Sequence, residues 1–457
     1  VVEAVNISGK FCENIFMRTR QLIFLLLISV FAHPLSASLS IEFWQTSSGA
    51  RVYFVENHTL PMLDISVEFA AGSSMDTREK SGTASLTQHL LSLGANGLSE
   101  DDIANALADV GAQLGGHFDA DRAGLTLRTL SHNRERKQAL EVFSSILQHP
   151  EFPNDILSRE KTRIITSIRE ASTKPGYIAD RALMNMLYGD HPYAMNDSGE
   201  IETIETIQRN DLVSFYQKHY VANNAVITII GDINKHEATR IADTLTRNLP
   251  ESSAQDKHVT IPSVKNPQGG IERLTHPATQ SHIVLAHPGI SRTDPDYFPL
   301  LVGNYILGGG GFVSRLMDEI RQQRGLAYSV QSFFAPLKEK GPFKIGLQTR
   351  KDQSEEALLL TQTVLRDFIT GGPTEQELLA AKQNIIGGFP LRLDSNKKIL
   401  GYLAMIGFYH LPLTYLDDYL KAVETVTADQ IKDAFQRRID LASMVAVIVG
   451  ALETTGD

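Results

Sequence analysis

The chain has 457 residues, 42% hydrophobic and 21% charged, with a net charge of -10 and no long low-complexity tract. That length suffices for two or three domains, and the composition is that of a globular protein. No Lys/Arg cluster forms a basic stripe, which argues against nucleic acid as a partner.

The first 37 residues read as an address. Met17-Arg18-Thr19-Arg20 is a short basic segment, and "LIFLLLISVFA" at Leu22–Ala32 is an apolar run too short to span a bilayer comfortably. Leu35-Ser36-Ala37 is a small-residue site suited to cleavage after Ala37. The expectation is a secretory signal peptide starting near Met17, with an over-extended start before it and an uncleaved membrane anchor as the alternative. Membrane contact is then limited to that segment. The only cysteine, Cys12, goes with it, so the mature chain has no disulfide framework and depends on its hydrophobic core. The expected location is a bacterial periplasm.

From Ile41 the pattern is mixed α and β. "IEFWQT" and "RVYFVEN" alternate around Ser47-Ser48-Gly49, which predicts a hairpin, and "LDISVEFAAG" follows as a third strand. A mostly apolar helix comes next, "SGTASLTQHLLSLG" at Ser81–Gly94, carrying His89. In "SEDDIANALADVG", Ser99 is a predicted N-cap with Asp102 three residues on, and Gly111 a stop. "AQLGGHF" and "AGLTLRTLS" read as paired strands, and helices are expected over His132–Gln148, Asn154–Ala171 and Tyr177–Leu187.

The stretch "ETIQRNDLVSFYQKHYVANNAVITIIGDI" predicts a helix and then a buried strand. It is echoed by "ETVTADQIKDAFQRRIDLASMVAVIVGAL": Glu205 matches Glu424, Tyr216 matches Phe435 and Gly231 matches Gly450, each 219 residues apart. "PNDILSREKTRII" and "PTEQELLAAKQNII" form a weaker echo. A period this long is not that of a solenoid; it implies two halves built on one plan. The expected domains are 38–250 and 271–457, after the leader 1–37, with the polar Pro/Gly/Ser-rich stretch 251–270 as linker.

This plan resembles the pitrilysin/insulinase family of zinc peptidases, and within it the two-chain bacterial and mitochondrial-processing-peptidase-like branch. The strongest resemblance is "YILGGGGFVSRLMDEIRQQRGLAYSV" at Tyr305–Val330. It implies an α+β fold of two homologous halves, each an antiparallel sheet layered with helices, and two such units enclosing a chamber. Active members carry H-x-x-E-H on a first-half helix. Two histidines four residues apart share one helix face and reach one Zn²⁺, while the glutamate activates water; a glutamate farther along completes the ligand set.

Laid on this chain, the first histidine becomes Ser85, the base becomes Gln88, and His89 remains. The distal glutamate falls near Ser167, with Glu170 the closest carboxylate about one turn on. A serine hydroxyl is a poor zinc ligand beside imidazole, Gln88 cannot take a proton from water, and one histidine will not hold zinc alone. The expectation is no catalytic residue and no metal bound by this chain. His89 is then a packed or hydrogen-bonded histidine on an inherited helix face; a rebuilt site of His89, His117 and Asp119 or Asp121 is the alternative.

The second-half signature survives. Arg321 and Tyr328 keep the family's Arg-x₆-Tyr spacing, which the resemblance assigns to substrate binding. Arginine donates fixed hydrogen bonds to peptide carbonyls and a tyrosine hydroxyl can stabilise an oxyanion; alone, the pair would read as a solvated arginine and a core tyrosine. Gly308, Gly309, Gly310 and Gly311 lack the Lys-Ser/Thr of a phosphate loop. They fit either a loop facing the chamber or a helix-to-helix turn. The profile implies a non-catalytic, zinc-less subunit that binds peptide or unfolded polypeptide and completes a zinc-bearing homologous partner in a heterodimer. A stand-alone peptide-binding or scaffold protein, or an autonomous enzyme with a rebuilt metal site, are the alternatives.

Overall fold

Two sheets, one from each half of the sequence, frame the structure, a computed structural model that describes residues 39–251 and 260–450. The expected signal peptide, Cys12 and the middle of the expected linker lie outside the described residues. In the first half, β1 (Glu42–Gln45) and β2 (Arg51–Glu56) form the predicted hairpin, closed by Gly49 N–H donating to the Thr46 carbonyl at 3.0 Å. Strand β3 (Met62–Phe69) sends Leu63, Ile65, Val67 and Phe69 into the helix-covered core, while Asp64, Ser66 and Glu68 occupy the other face, as the two-residue repeat of a strand requires. A short ribbon of β4 (Gly94–Ala95) and β5 (Leu98–Ser99) precedes the helix Glu100–Ala108, which has the predicted Ser99–Asp102 capping box. Strands β6 (Gln113–Phe118) and β7 (Ala123–Leu130) pair as expected, and β8 (Ala225–Gly231) is buried throughout.

The first sheet runs β1-β2-β8-β3-β7-β6. The second, of β9 (Gly270–Leu274), β10 (Gln280–Pro288), β11 (Val330–Phe334), β12 (Pro342–Arg350) and β13 (Val445–Val449), runs β9-β13-β10-β12-β11, the same order without the extra hairpin strand. Neither sheet is purely antiparallel, which corrects the expectation. The last strand of each half enters between two strands that run in opposite directions, so it must be parallel to one of them: β8 to β2, and β13 to β9.

The sequence echo has a structural cause at each position. Tyr216, on the helix Arg209–His219, and Phe435, on the helix Ala428–Arg438, are both buried. Gly231 and Gly450 both have positive φ, at 152° and 99°, and a Cβ on either would meet a backbone carbonyl of the neighbouring strand region. In both halves a lysine of the long helix closes the end of a later one: Lys161 Nζ donates to the Glu205 carbonyl at 2.8 Å, and Lys382 Nζ to that of Glu424 at 2.7 Å.

The halves exchange one helix each. Pro175–Tyr188 leaves the first half to lie on β10 and β13, where Ala179, Leu183 and Leu187 share a core with Val445, Val447 and Val449. Its counterpart Asn396–Phe408 covers the opposite face of β2, β3 and β8. At Gly407 the approach leaves no room for a Cβ beside Val226 and the Tyr53 ring, and Arg51 Nη1 donates to the Gly407 carbonyl at 2.8 Å. Asp121, 1% exposed, ties the halves together: its carboxylate accepts from the Tyr193 hydroxyl at 2.6 Å, the Tyr409 hydroxyl at 2.9 Å and the Lys338 N–H at 2.6 Å. Among the described residues no helix is long and apolar enough to cross a membrane.

Candidate functional site

The helix Thr83–Leu90 is placed by its buried Ala84, Leu86 and Leu90, and its start is fixed by Asp76, whose carboxylate accepts from Gly82 N–H and Ala84 N–H, both at 2.8 Å. Ser85 is half-buried on it. The Gln88 amide donates to the Gly124 carbonyl at 3.2 Å and lies against Gly116, where any Cβ would collide with it. His89 Nε2 meets Glu160 Oε2 at 3.0 Å, with half of the histidine side chain exposed.

Glu160 is the residue that sequence reasoning missed. It sits on the helix Asn154–Ala171, only 2% exposed. Burial pushes its carboxyl up, but hydrogen bonds from Arg159, His89 and Arg163 win and hold it down at about 2. The signal was available: Glu160 lies seven residues before Ser167, two helical turns back on the same face. Ser167 itself is exposed, and Glu170 points to solvent in an ion pair with Lys174. The donor set near His89 therefore does not fit zinc: one imidazole, engaged by a carboxylate that two arginines also hold, a serine, and an amide spent on a backbone carbonyl.

The rebuilt metal site is not assembled. His117 Nε2 meets Asp119 Oδ2 at 2.7 Å, and Asp119 also accepts from the Asp121 and Arg122 backbone N–H groups and from Arg122 Nε. Burial raises the Asp119 carboxyl, yet the His117 bond and the Arg122 charge bring it to about 2. Arg122 continues to Glu68 at 2.8 Å, whereas Asp121 is turned to the tyrosines between the halves. These acids already have partners, and among the described residues no group of three His, Cys, Asp or Glu side chains is arranged to hold a metal ion.

The second-half residues do come together. Tyr305–Gly309 is a wide, π-type helical turn, Gly310 and Gly311 turn the chain, and a second wide stretch, Met317–Gln323, carries Arg321. The glycine run is thus a helix-to-helix turn, and Gly308, Gly309 and Gly311 also line a cavity of about 630 Å³ that Arg321 and Tyr328 share. Gly308 is tight against Ser332, and Gly311 has φ 63°. The Arg321 guanidinium carbon lies 4.8 Å from the centroids of both the Phe312 and Tyr328 rings. Tyr328 is 80% exposed, not a core tyrosine.

Two family models cover most of the chain: "Insulinase (Peptidase family M16)" over residues 51–196 and "Peptidase M16 inactive domain" over 206–385. A crystal structure of a peptidase M16 inactive domain from Pseudomonas fluorescens is 39% identical and superposes with a TM-score of 0.87, covering 91% of this chain and 98% of that one. The curated relative "Non-peptidase homolog YmxG" of Helicobacter pylori is 26% identical over 402 residues, 87% of this chain and 91% of its own length. The "Mitochondrial-processing peptidase subunit beta" of Lentinula edodes is 24% identical over 391 residues, 82% of this chain and 82% of its own length. Relatives named as non-peptidase or inactive support a non-catalytic member, in line with the missing zinc donors. The chain belongs to the M16, or insulinase, peptidase family.

Proposed function

We propose that this chain is the zinc-less subunit of a secreted, periplasmic M16 peptidase heterodimer, holding peptide for a zinc-bearing partner. One observation carries the reading. The helix that should hold zinc has lost its donors, while Arg321, Tyr328 and the glycine turn still share one open cavity. A relative named as a subunit of the mitochondrial processing peptidase supports assembly with a second chain.

In this reading the partner supplies the zinc and its activated water. This chain contributes position and charge: Arg321 donates to the peptide, the Tyr328 hydroxyl faces charge developing on the attacked carbonyl oxygen, and the glycines let a backbone come close. The outer edge of β6, at the end of its sheet and unpaired among the described residues, offers backbone groups to an extended chain. Removing a donor aimed at a developing oxyanion costs about 100-fold or more in turnover. Tyr328→Phe and Arg321→Ala in the assembled complex should therefore slow hydrolysis strongly without changing its elution on size exclusion. Unchanged kinetics in an intact complex would remove both roles.

A further inference from the structure

The walls of the Arg321 cavity carry charge of one sign. Two arginines, Arg321 and Arg292, line it, and among the described residues no carboxylate does. Among the described residues neither guanidinium has an acidic partner. Arg321 has aromatic rings against it but, among the described residues, no hydrogen-bond acceptor or acidic partner. Arg292 gives one N–H to the Pro336 carbonyl at 3.1 Å and lies over the Tyr297 and Tyr409 rings, while its Nε is buried with no partner. Two other half-buried arginines are matched with acids, Arg122 with Glu68 and Arg315 with Glu377.

A guanidinium packed against aromatic rings keeps its in-plane N–H groups directed outward, the geometry that meets a carboxylate through two parallel bonds. An unpartnered buried N–H is costly and is satisfied by an acceptor. The rest of the lining is uncharged, apolar at Ile290, Leu300 and Met317 and polar at Asn304 and Gln331, and Phe312, 65% exposed, stands at the rim. A cleft lined by charge of one sign focuses that field on what enters it.

We infer that this cavity selects a carboxylate, so that the bound peptide is anchored by its C-terminus or by an Asp or Glu side chain next to an apolar residue. The inference rests on the peptide-binding reading and narrows it to acidic or free-ended chains. A backbone carbonyl would use one N–H of Arg321; a carboxylate uses the fork and balances the charge.

The test is fluorescence anisotropy with the full mature chain and one labelled apolar peptide in four forms: free or amidated at the C-terminus, each with an internal Glu or Gln. A charge-assisted pair corresponds to about a tenfold preference or more. The expected result is that preference for one carboxylate-bearing form, shrinking at high salt and absent in Arg321→Gln, whose folding is checked by circular dichroism. Preference for the free end identifies the terminus as the anchor; preference for Glu identifies the side chain. Equal binding of all four forms, lost in Arg321→Gln, would overturn the carboxylate inference and leave peptide binding standing. If no peptide bound, titration with N-acetylphenylalanine would decide: binding that depends on Arg321 keeps carboxylate selection and removes the peptide reading, and no binding removes both.

Discussion

Asp121 offers a sharp test of how the two halves hold together. Its carboxylate receives two phenol hydroxyls, one from each half, and a backbone N–H from the second half. Burial pushes its carboxyl above the usual value, while the Tyr193, Lys338 and Tyr409 bonds pull it back. Hydrogen bonds to a charged group contribute about 1.5–3 kcal/mol each, offset by the cost of burying the charge. Asp121→Ala leaves three donors without an acceptor in a space that is 1% exposed. Breaking a buried charged cluster by removing one member costs about 3–5 kcal/mol. Asp121→Asn keeps the shape and part of the acceptor capacity, so its loss should be smaller, about 1–3 kcal/mol. Urea unfolding followed by circular dichroism and by fluorescence of Trp44, the single tryptophan, measures both. A double-mutant cycle with Tyr409→Phe should show coupling, the tyrosine change costing little once Asp121 is gone. A loss under about 1 kcal/mol for Asp121→Ala would refute the claim that this residue joins the halves.

Further outcomes follow from the same geometry. Gly407→Val should destabilise by about 1–3 kcal/mol or more, because the added carbons meet Val226 and Tyr53 under the exchanged helix; an unchanged melting temperature would show that helix to be loosely seated. Asp76 has its carboxyl raised to about 7, chiefly by burial. Between the unfolded value near 3.8 and about 7 the folded state holds the extra proton, so stability should rise as pH falls through that window. The wild type should gain on Asp76→Asn between pH 8 and pH 5, and a constant difference would contradict the assignment. Ser85→His with Gln88→Glu should remain a poor zinc binder until Ser167→Glu is added; stoichiometric zinc in the double variant would show that the ligand positions are misassigned.

Much of the fold could be read in the sequence where local chemistry dictates local structure. The alternation in "RVYFVEN", the Ser99–Asp102 cap and the 219-residue echo each correspond to a strand, a helix start and a repeated half. The helix exchange could not be read. Periodicity shows that Pro175–Tyr188 has an apolar face but not which sheet covers it. The parallel placement of β8 and β13 was hidden for the same reason, since it depends on the direction of distant neighbours. At the site, loss of the zinc donors was visible at Ser85, Gln88 and Ser167. Glu160 was signalled only by its spacing from Ser167, because "SREKTR" otherwise looks like a solvated face; the packing of His89, Arg159 and Arg163 around it shows the buried charge. His117, Asp119 and Asp121 were close in sequence and suggested one site, yet the turn between β6 and β7 aims Asp121 at tyrosines of both halves.

The most direct test is zinc content and peptide hydrolysis of the purified chain, alone and then mixed with an H-x-x-E-H homologue from the same genome. The expected result is neither zinc nor hydrolysis for the chain alone, and hydrolysis on mixing that exceeds what the homologue achieves by itself. Stoichiometric zinc with hydrolysis by the isolated chain would contradict the account, because it would make His89 a ligand and the chain an enzyme in its own right.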